Sequence, residues 1–298
     1  MRMQEIKCTN KVGESLTISK GSPIFRPIED IDFTGNKVNN TYASNYKVVG
    51  MSHVSSTMQQ RDFSLLFYIN VNQHDEEWIQ ERRNEVFRVF NPLLNPIRIE
   101  IKTQTQSLSI EANVEITPSI GVKKADANNV WQKALVQFSS GQPYLQESKV
   151  QKVEIATWEP LLEFPLNINS NGLEFGKRSQ SLIVNVINKG HVPTGMTIQF
   201  KALGTVKNPS IFNVNTRESM KLNRTMQAEE IIMINTTQGK KRIESLMNGV
   251  PSNIFNTVVF GSKFIQLNTG DNLFRYDADE NIENLEVTIY FTPQYLGV

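Results

Sequence analysis

Apolar and polar side chains alternate with period two along most of this chain. Such alternation turns every second residue to one face of a β-strand, as expected of a sheet buried on one side. In the first half it runs through residues 97–101 (Ile-Arg-Ile-Glu-Ile), 108–112 (Leu-Ser-Ile-Glu-Ala) and 134–138 (Ala-Leu-Val-Gln-Phe). Residues 63–69 (Phe-Ser-Leu-Leu-Phe-Tyr-Ile) are denser in β-favouring types and read as a well-buried strand. Ahead of them lie short strands broken at Val12-Gly13 and at residues 20–23. Asn36, Asn39 and Asn40 mark a polar loop, and residues 42–51 are extended in character.

One window departs from period two. From Asp75 to Phe90 the residues Ile79, Val86 and Phe90 keep helical spacing, and Trp78, Phe87 and Val89 widen the apolar side. Asp75 is placed to cap this helix, and Glu76 and Glu77 sit in the first turn, where the helix dipole favours anions. Asn91-Pro92 ends it, because the residue before a proline disfavours the helical conformation. Arg82 and Arg83 face solvent or lay their stems over the core.

In the second half, strands are expected at residues 181–186, 212–215, 220–222, 230–235, 241–243, 264–267, 273–276 and 285–291. Residues 237–240 join two of them as a hairpin, with Gly239 supplying a positive φ. Residues 268–272 form a tight turn around Gly270. Many short strands with no helical pattern between them indicate a β-sandwich. Pro143 and the polar run 146–149 mark a connection. The sequence therefore predicts a mainly β protein: residues 1–145, a β-domain with one α-helix, and residues 146–298, a β-sandwich. A length of 298 residues suits two such domains.

Charge narrows the function. Lys+Arg is 31 and Asp+Glu is 30, and a dedicated nucleic-acid binder usually carries a basic excess, so none is expected. Residues 1–13 hold no apolar run of signal-peptide length, and no stretch approaches the ~20 apolar residues of a membrane span. The expectation is a soluble product without membrane insertion, kept in a cytoplasm or in a particle assembled there.

Candidate chemistry is sparse. The lone Cys8 excludes an intrachain disulfide and a zinc site of sulfur ligands. Lys7 beside it points to the other face of a strand, so Cys8 reads as a packed thiol. His53, His74 and His191 are scattered, and His191 lies in the turn sequence 188–193 as a solvated loop histidine. The acidic run 277–283 lacks the glycine an EF-hand loop needs at its sixth position. No nucleophile elbow, P-loop or dinucleotide fingerprint is present. The Asn-x-Ser/Thr matches at 39–41, 223–225 and 235–237 are chance without a signal peptide. No catalytic, cofactor-binding or metal residue is assigned, and no enzyme is expected.

An ordered series of phrases carries a family resemblance. Phe164-Pro165-Leu166 precedes Gly172-Leu173-Glu174-Phe175-Gly176, then Asn185-Val186-Ile187-Asn188-Lys189-Gly190 and Asn208-Pro209-Ser210-Ile211. Residues 230–235, Phe260-Gly261-Ser262 and Leu267-Asn268-Thr269-Gly270-Asp271-Asn272 follow. In the first half come Arg61 with its buried strand, the Glu/Arg-rich helix and Phe90-Asn91-Pro92. This order resembles the distal tail protein family of siphophages infecting Gram-positive bacteria. The resemblance implies a hexameric homo-oligomeric ring in the virion tail tip or baseplate, assembled in the host cytoplasm. It also implies an N-terminal ring-forming domain and a galectin-like C-terminal sandwich. Such a ring joins the tail tube protein to the tail-associated protein and to receptor-binding proteins.

The alternative is a carbohydrate-binding adhesion module. A sugar site offers exposed aromatic platforms, whereas Trp131 and Trp158, the tryptophans outside the helix, lie in or near the expected linker. Trp78, Phe87 and Phe90 are expected in the helix core. Ring closure is expected through residues 1–145, with the loop at 35–41 ordering on contact, while 151–298 alone stays monomeric.

Overall fold

The computed structural model describes residues 3–44, 46, 49–71, 75–123, 126–128, 130–155, 158–160, 176–178 and 183–297. His74, residues 164–166 and 172–175 of the family phrases, and the first two residues of the strand expected at 181–186 lie outside them. The chain divides into two compact units, Met1–Ser148 with Tyr295–Val298, and Lys149–Gln294. Among the described residues the architecture is mainly β with one α-helix, as the alternation predicts.

The first unit contains β1 (Met3–Thr9), β2 (Ser15–Ser19), β3 (Phe25–Pro27), β4 (Val38–Ser44), β5 (Met51–Met58), β6 (Arg61–Asn70), α1 (Glu76–Val89), β7 (Ile97–Thr103), β8 (Ser107–Ile120), β9 (Trp131–Ser140) and β10 (Leu145–Glu147). Its main sheet runs β2-β1-β7-β8-β9-β6-β3. The long strand β8 pairs with β7 up to Ala112 and with β9 from Asn113 onward, with register shifts between Val114 and Ile116 and between Ile116 and Ser119. Such irregularities bend a strand, so β8 serves two parts of one sheet. Ile6, Leu16, Ile99, Leu65, Phe67 and Phe138, drawn from both parts, share a single core.

Helix α1 begins as expected, with the Asp75 carboxylate accepting from the Trp78 N–H at 2.8 Å. Val86, Val89 and Phe90 face the core. Phe87, expected beside them, is 41% exposed. At roughly 100° per residue, a helix seated on those three residues points its neighbour at 87 away from the sheet. Trp78 is half-buried, with the Arg82 guanidinium 5.7 Å from its ring centre.

Two further expectations are corrected in this unit. Asn39 and Asn40, read as a polar loop, belong to β4, which pairs with β5 as a separate two-stranded ribbon. Asparagine clusters usually mark loops, but here Val38, Thr41 and Tyr42 favour extension. Trp131, placed near the linker by sequence, opens β9 and lies against Tyr68 with ring centres 4.7 Å apart.

The second unit holds β11 (Gln151–Glu154), β12 (Trp158–Pro160), β13 (Gly176–Arg178), β14 (Ile183–Asn188), β15 (Met196–Ala202), β16 (Val206–Lys207), β17 (Ser210–Asn213), β18 (Glu218–Lys221), β19 (Thr225–Met226), β20 (Ile231–Asn235), β21 (Arg242–Met247), β22 (Val250–Asn253), β23 (Gly270–Asp277) and β24 (Leu285–Phe291). Two sheets, β11-β24-β15-β20-β21-β22 and β14-β23-β17-β18, bury alternate residues in one core. Ile198, Ile234 and Ile289 come from the first sheet, and Ile211, Met220 and Phe274 from the second. This is a sandwich built on period two. Gly239 turns the β20–β21 hairpin with φ +76°. Residues 264–267, expected as a strand, bury Ile265 and Leu267 but make only an isolated bridge, between Leu267 and Thr194. Alternating burial fixed their pattern, whereas no neighbouring strand supplies a ladder. The last residues, Tyr295–Val298, return to the first unit, where β25 (Gln294–Tyr295) pairs with β10.

Candidate assembly surface

The groups weighed for chemistry are packed or paired. Cys8 is fully buried in β1, and burial pushes its thiol well above the ordinary range. His53 lies on the ribbon and His191 in an exposed turn. In the acidic run, Asp279 accepts from Lys221 Nζ at 2.6 Å and from Asn208 Nδ2 at 2.8 Å, and Glu280 pairs with Lys207. The Lys221 hydrogen bond holds the Asp279 carboxyl below its usual range. Among the described residues no cluster of three or more His, Cys, Asp or Glu is placed to hold a metal.

What stands out instead is the β4–β5 ribbon. Every residue of β4 is exposed, and so is every residue of β5 except Met58. By the register, Val38, Tyr42, Met51 and Met58 share one face of the ribbon, diluted there by Asn40, Ser44, His53 and Ser56. Thr41 pairs with Ser55 and Tyr42 with His53, so Val54 is an extra residue on β5. A bulge of this kind breaks the alternation and increases twist. Cross-strand contacts hold the ribbon locally. The Tyr42 and His53 rings meet edge to face at 5.7 Å. Ser56 Oγ donates to Asn40 Oδ1 at 2.7 Å and lies 2.8 Å from His53 Nε2. Gln59 Nε2 donates to Asn39 Oδ1.

Such pairs contribute roughly 0.2–1 kcal/mol each, while fixing a residue's backbone costs about 1–2 kcal/mol. A lone two-stranded ribbon is marginal in water for this reason. Tyr46 and Val49, beside its turn, are 90% and 103% exposed. Between Val38 and Met58 the sequence has no carboxylate.

The root of the ribbon is rigid. The Gln59 N–H donates to the Lys37 carbonyl at 3.0 Å. Two residues on, Arg61 is 2% exposed and donates to three backbone carbonyls: Nε to Pro143 at 2.6 Å, Nη1 to Phe33 and Nη2 to Leu296, both at 2.5 Å. Burial lowers the Arg61 pKa, and the charge of Asp32 opposes that shift. Asp32 is itself held below its usual range, first by the Thr34 hydroxyl and N–H that donate to it and then by Arg61. Gly297 lies so close to the Phe33 carbonyl that a Cβ would stand 2.9 Å from it. Arg61 thus ties the segment before the ribbon, the turn after β9 and the chain's last residues into one knot. Sequence reading singled out Arg61 only through the family resemblance. The ribbon's signal was available as a run of β-formers in which Ser, Thr and Asn dilute the apolar positions.

Residues 189–295 match the family model of the siphovirus-type tail component, C-terminal domain. No curated protein matches the chain by sequence. Among solved structures, the SPP1 Dit (gp 19.1) protein, described as a paradigm of the hub adsorption apparatus in phages infecting Gram-positive bacteria, aligns with a TM-score of 0.66. That alignment covers 97% of this chain and 98% of the other at 12% identity. Two structures of the phage p2 baseplate in its activated conformation, with Ca and with Sr, align over 100% of both chains at 11% identity, with TM-scores of 0.52 and 0.50. At such identities the likeness is one of fold. Over residues 189–295 the chain thus matches the C-terminal domain of the siphovirus-type tail component, and over nearly its whole length it shares the fold of the SPP1 Dit protein.

Proposed function

We propose that this protein is a structural hub of a phage tail tip or baseplate, acting by assembly and not by catalysis. Copies close into a ring, six by analogy with the family, through the first unit. The ring joins the tail tube protein to the tail-associated protein, and the galectin-like second unit faces receptor-binding proteins. The observation that carries this reading is the β4–β5 ribbon, whose two faces are both exposed in the subunit; a neighbouring subunit would supply its packing. A closed ring needs a heterologous contact, one face of each subunit against a different face of the next, and a projecting ribbon suits that geometry. The description of SPP1 Dit as a paradigm of the hub adsorption apparatus supports the same reading. The adhesion-module alternative gains nothing from Trp131, which is packed on Tyr68.

The test is solution mass by light scattering, alone and with the tail-associated protein, for three proteins. The full chain should form a closed oligomer in at least one condition. A version with residues 39–57 replaced by a short turn should remain a folded monomer in both. A first-unit version must keep Tyr295–Val298, joined to Ser148 by a Gly-Ser linker, because Arg61 needs the Leu296 carbonyl; it should form rings or enter full-length ones. Rings formed by residues 149–294 alone, or undiminished rings without the ribbon, would overturn the proposal.

A further inference from the structure

The second unit carries an aromatic surface that ring closure leaves unexplained. Phe255 and Phe264 stack with ring centres 5.7 Å apart and planes 18° from parallel. Phe255 is 47% exposed, although two polar devices fix it in place. Asn253 Oδ1 accepts from the Phe255 N–H at 2.9 Å, and the Thr257 hydroxyl donates to the Ile254 carbonyl at 2.8 Å. Each ring is also next in sequence to a buried anchor, Ile254 and Ile265. The backbone beneath the platform is therefore fixed and the Phe255 ring is stacked on Phe264, which lowers the ordering cost of an aromatic binding anchor.

Cations without a carboxylate partner stand beside the platform. Lys241 Nζ stands 5.1 Å from the Phe264 ring centre. Lys240 and Lys241 have no carboxylate partner among the described residues, and Arg242 next to them meets Glu244 at 3.4 Å. No carboxylate occurs between Val250 and Phe264. Val250, on the edge strand β22, is 67% exposed. Pro251 removes a backbone donor from that strand, so a partner there is held by side chains and not by strand addition.

We propose that Phe255, Phe264, Lys240 and Lys241 form a docking site for an acidic, apolar segment of a partner protein. Its aliphatic or aromatic side chain covers the Phe255 ring while its carboxylates meet the two lysines. A neutral glycan fits less well. Phe264 has Phe255 stacked on it and Lys241 close by, so neither of its faces is open to a sugar ring, and the Asn253 amide oxygen is already used by the Phe255 N–H. The site lies wholly in the second unit and does not rest on the ring: the ribbon-less monomer should keep it.

The experiment uses the full chain and fluorescence anisotropy with labelled probes: a short Glu/Leu peptide, a Lys/Leu peptide, polyglutamate and a sulfated dextran oligosaccharide. The Glu/Leu peptide should bind, with an affinity that falls as salt rises. Phe255→Ala should weaken it about tenfold and Lys240→Glu/Lys241→Glu should abolish it. Phe255 is exposed enough that its variant should keep the wild-type melting temperature, which separates lost binding from lost fold. Absence of Glu/Leu binding would overturn the proposal. So would equal binding of polyglutamate or sulfated dextran that Phe255→Ala leaves unchanged, since that is a merely cationic surface.

Discussion

The β4–β5 ribbon and the β20–β21 hairpin are both antiparallel strand pairs joined by a turn, yet they have opposite fates. In β20–β21 the residues Ile232, Ile234, Ile243 and Ser245 are buried, so the pair is one segment of a core-forming sheet. In β4–β5 seven residue pairs are in register and no apolar residue is buried. Backbone pairing is available to both; burial of one apolar stripe is available to one. Pairing therefore shapes a strand, whereas the stripe decides whether it stabilises its own subunit or stays free to meet another.

That contrast can be broken most sharply at the ribbon's root. Arg61→Met removes three charge-assisted hydrogen bonds to buried carbonyls and should cost roughly 3–4 kcal/mol of first-unit stability by urea denaturation. A loss under about 1 kcal/mol would mean that water replaces the guanidinium and the knot is dispensable. In the packed hairpin, Ile234→Ala should cost about 3 kcal/mol through lost burial and the cavity it leaves. Its effect should appear in the melting of the second unit while assembly by the first persists.

The ribbon should behave in the opposite way. Tyr42→Ala should change subunit stability by less than about 0.5 kcal/mol, because the side chain is half exposed and its ring contact is with His53 of the same ribbon. Yet it should shift the ring–monomer equilibrium measured by sedimentation toward monomer. Equal damage to both readouts would place Tyr42 in a structural role.

The smallest effect is electrostatic. Asp32, near the ribbon's root, has a depressed pKa, so its ionised form stabilises the fold above the unfolded-state value, and that contribution is lost as pH falls through the folded-state value. The melting-temperature difference between wild type and Asp32→Asn should stay constant from neutral pH to about pH 5. It should shrink toward zero below about pH 4.

Much of this was legible in the sequence where a local rule and the tertiary environment agree. Asp75 caps the helix because a carboxylate before a helical run has no better partner than the free N–H groups of the first turn. Gly239 turns its hairpin because the position requires a positive φ. The misreadings fall where a residue's neighbours in space differ from its neighbours in the chain. Phe87 has helical spacing compatible with the core, but the seat chosen by Val86, Val89 and Phe90 excludes it. Trp131 sits close to a predicted linker in sequence and against Tyr68 in space. Asn39 and Asn40 carry loop composition within a strand. No local pattern brings Phe255 onto Phe264, nine residues later and outside any ladder.

By itself the sequence determined the strand periodicity, the single helix with its cap, the near-neutral charge and the absence of a recognisable catalytic motif. All of these follow from spacing and residue type within a few positions. The tertiary structure alone decided that residues 295–298 return to the first unit, that Arg61 meets three carbonyls from distant segments, and that β4 and β5 leave the sheet as an unpacked ribbon. The first two depend on which segments meet across more than twenty residues of chain and the third on no such segment covering the ribbon, and hydrophobic alternation states that a face must be buried without naming the face that covers it.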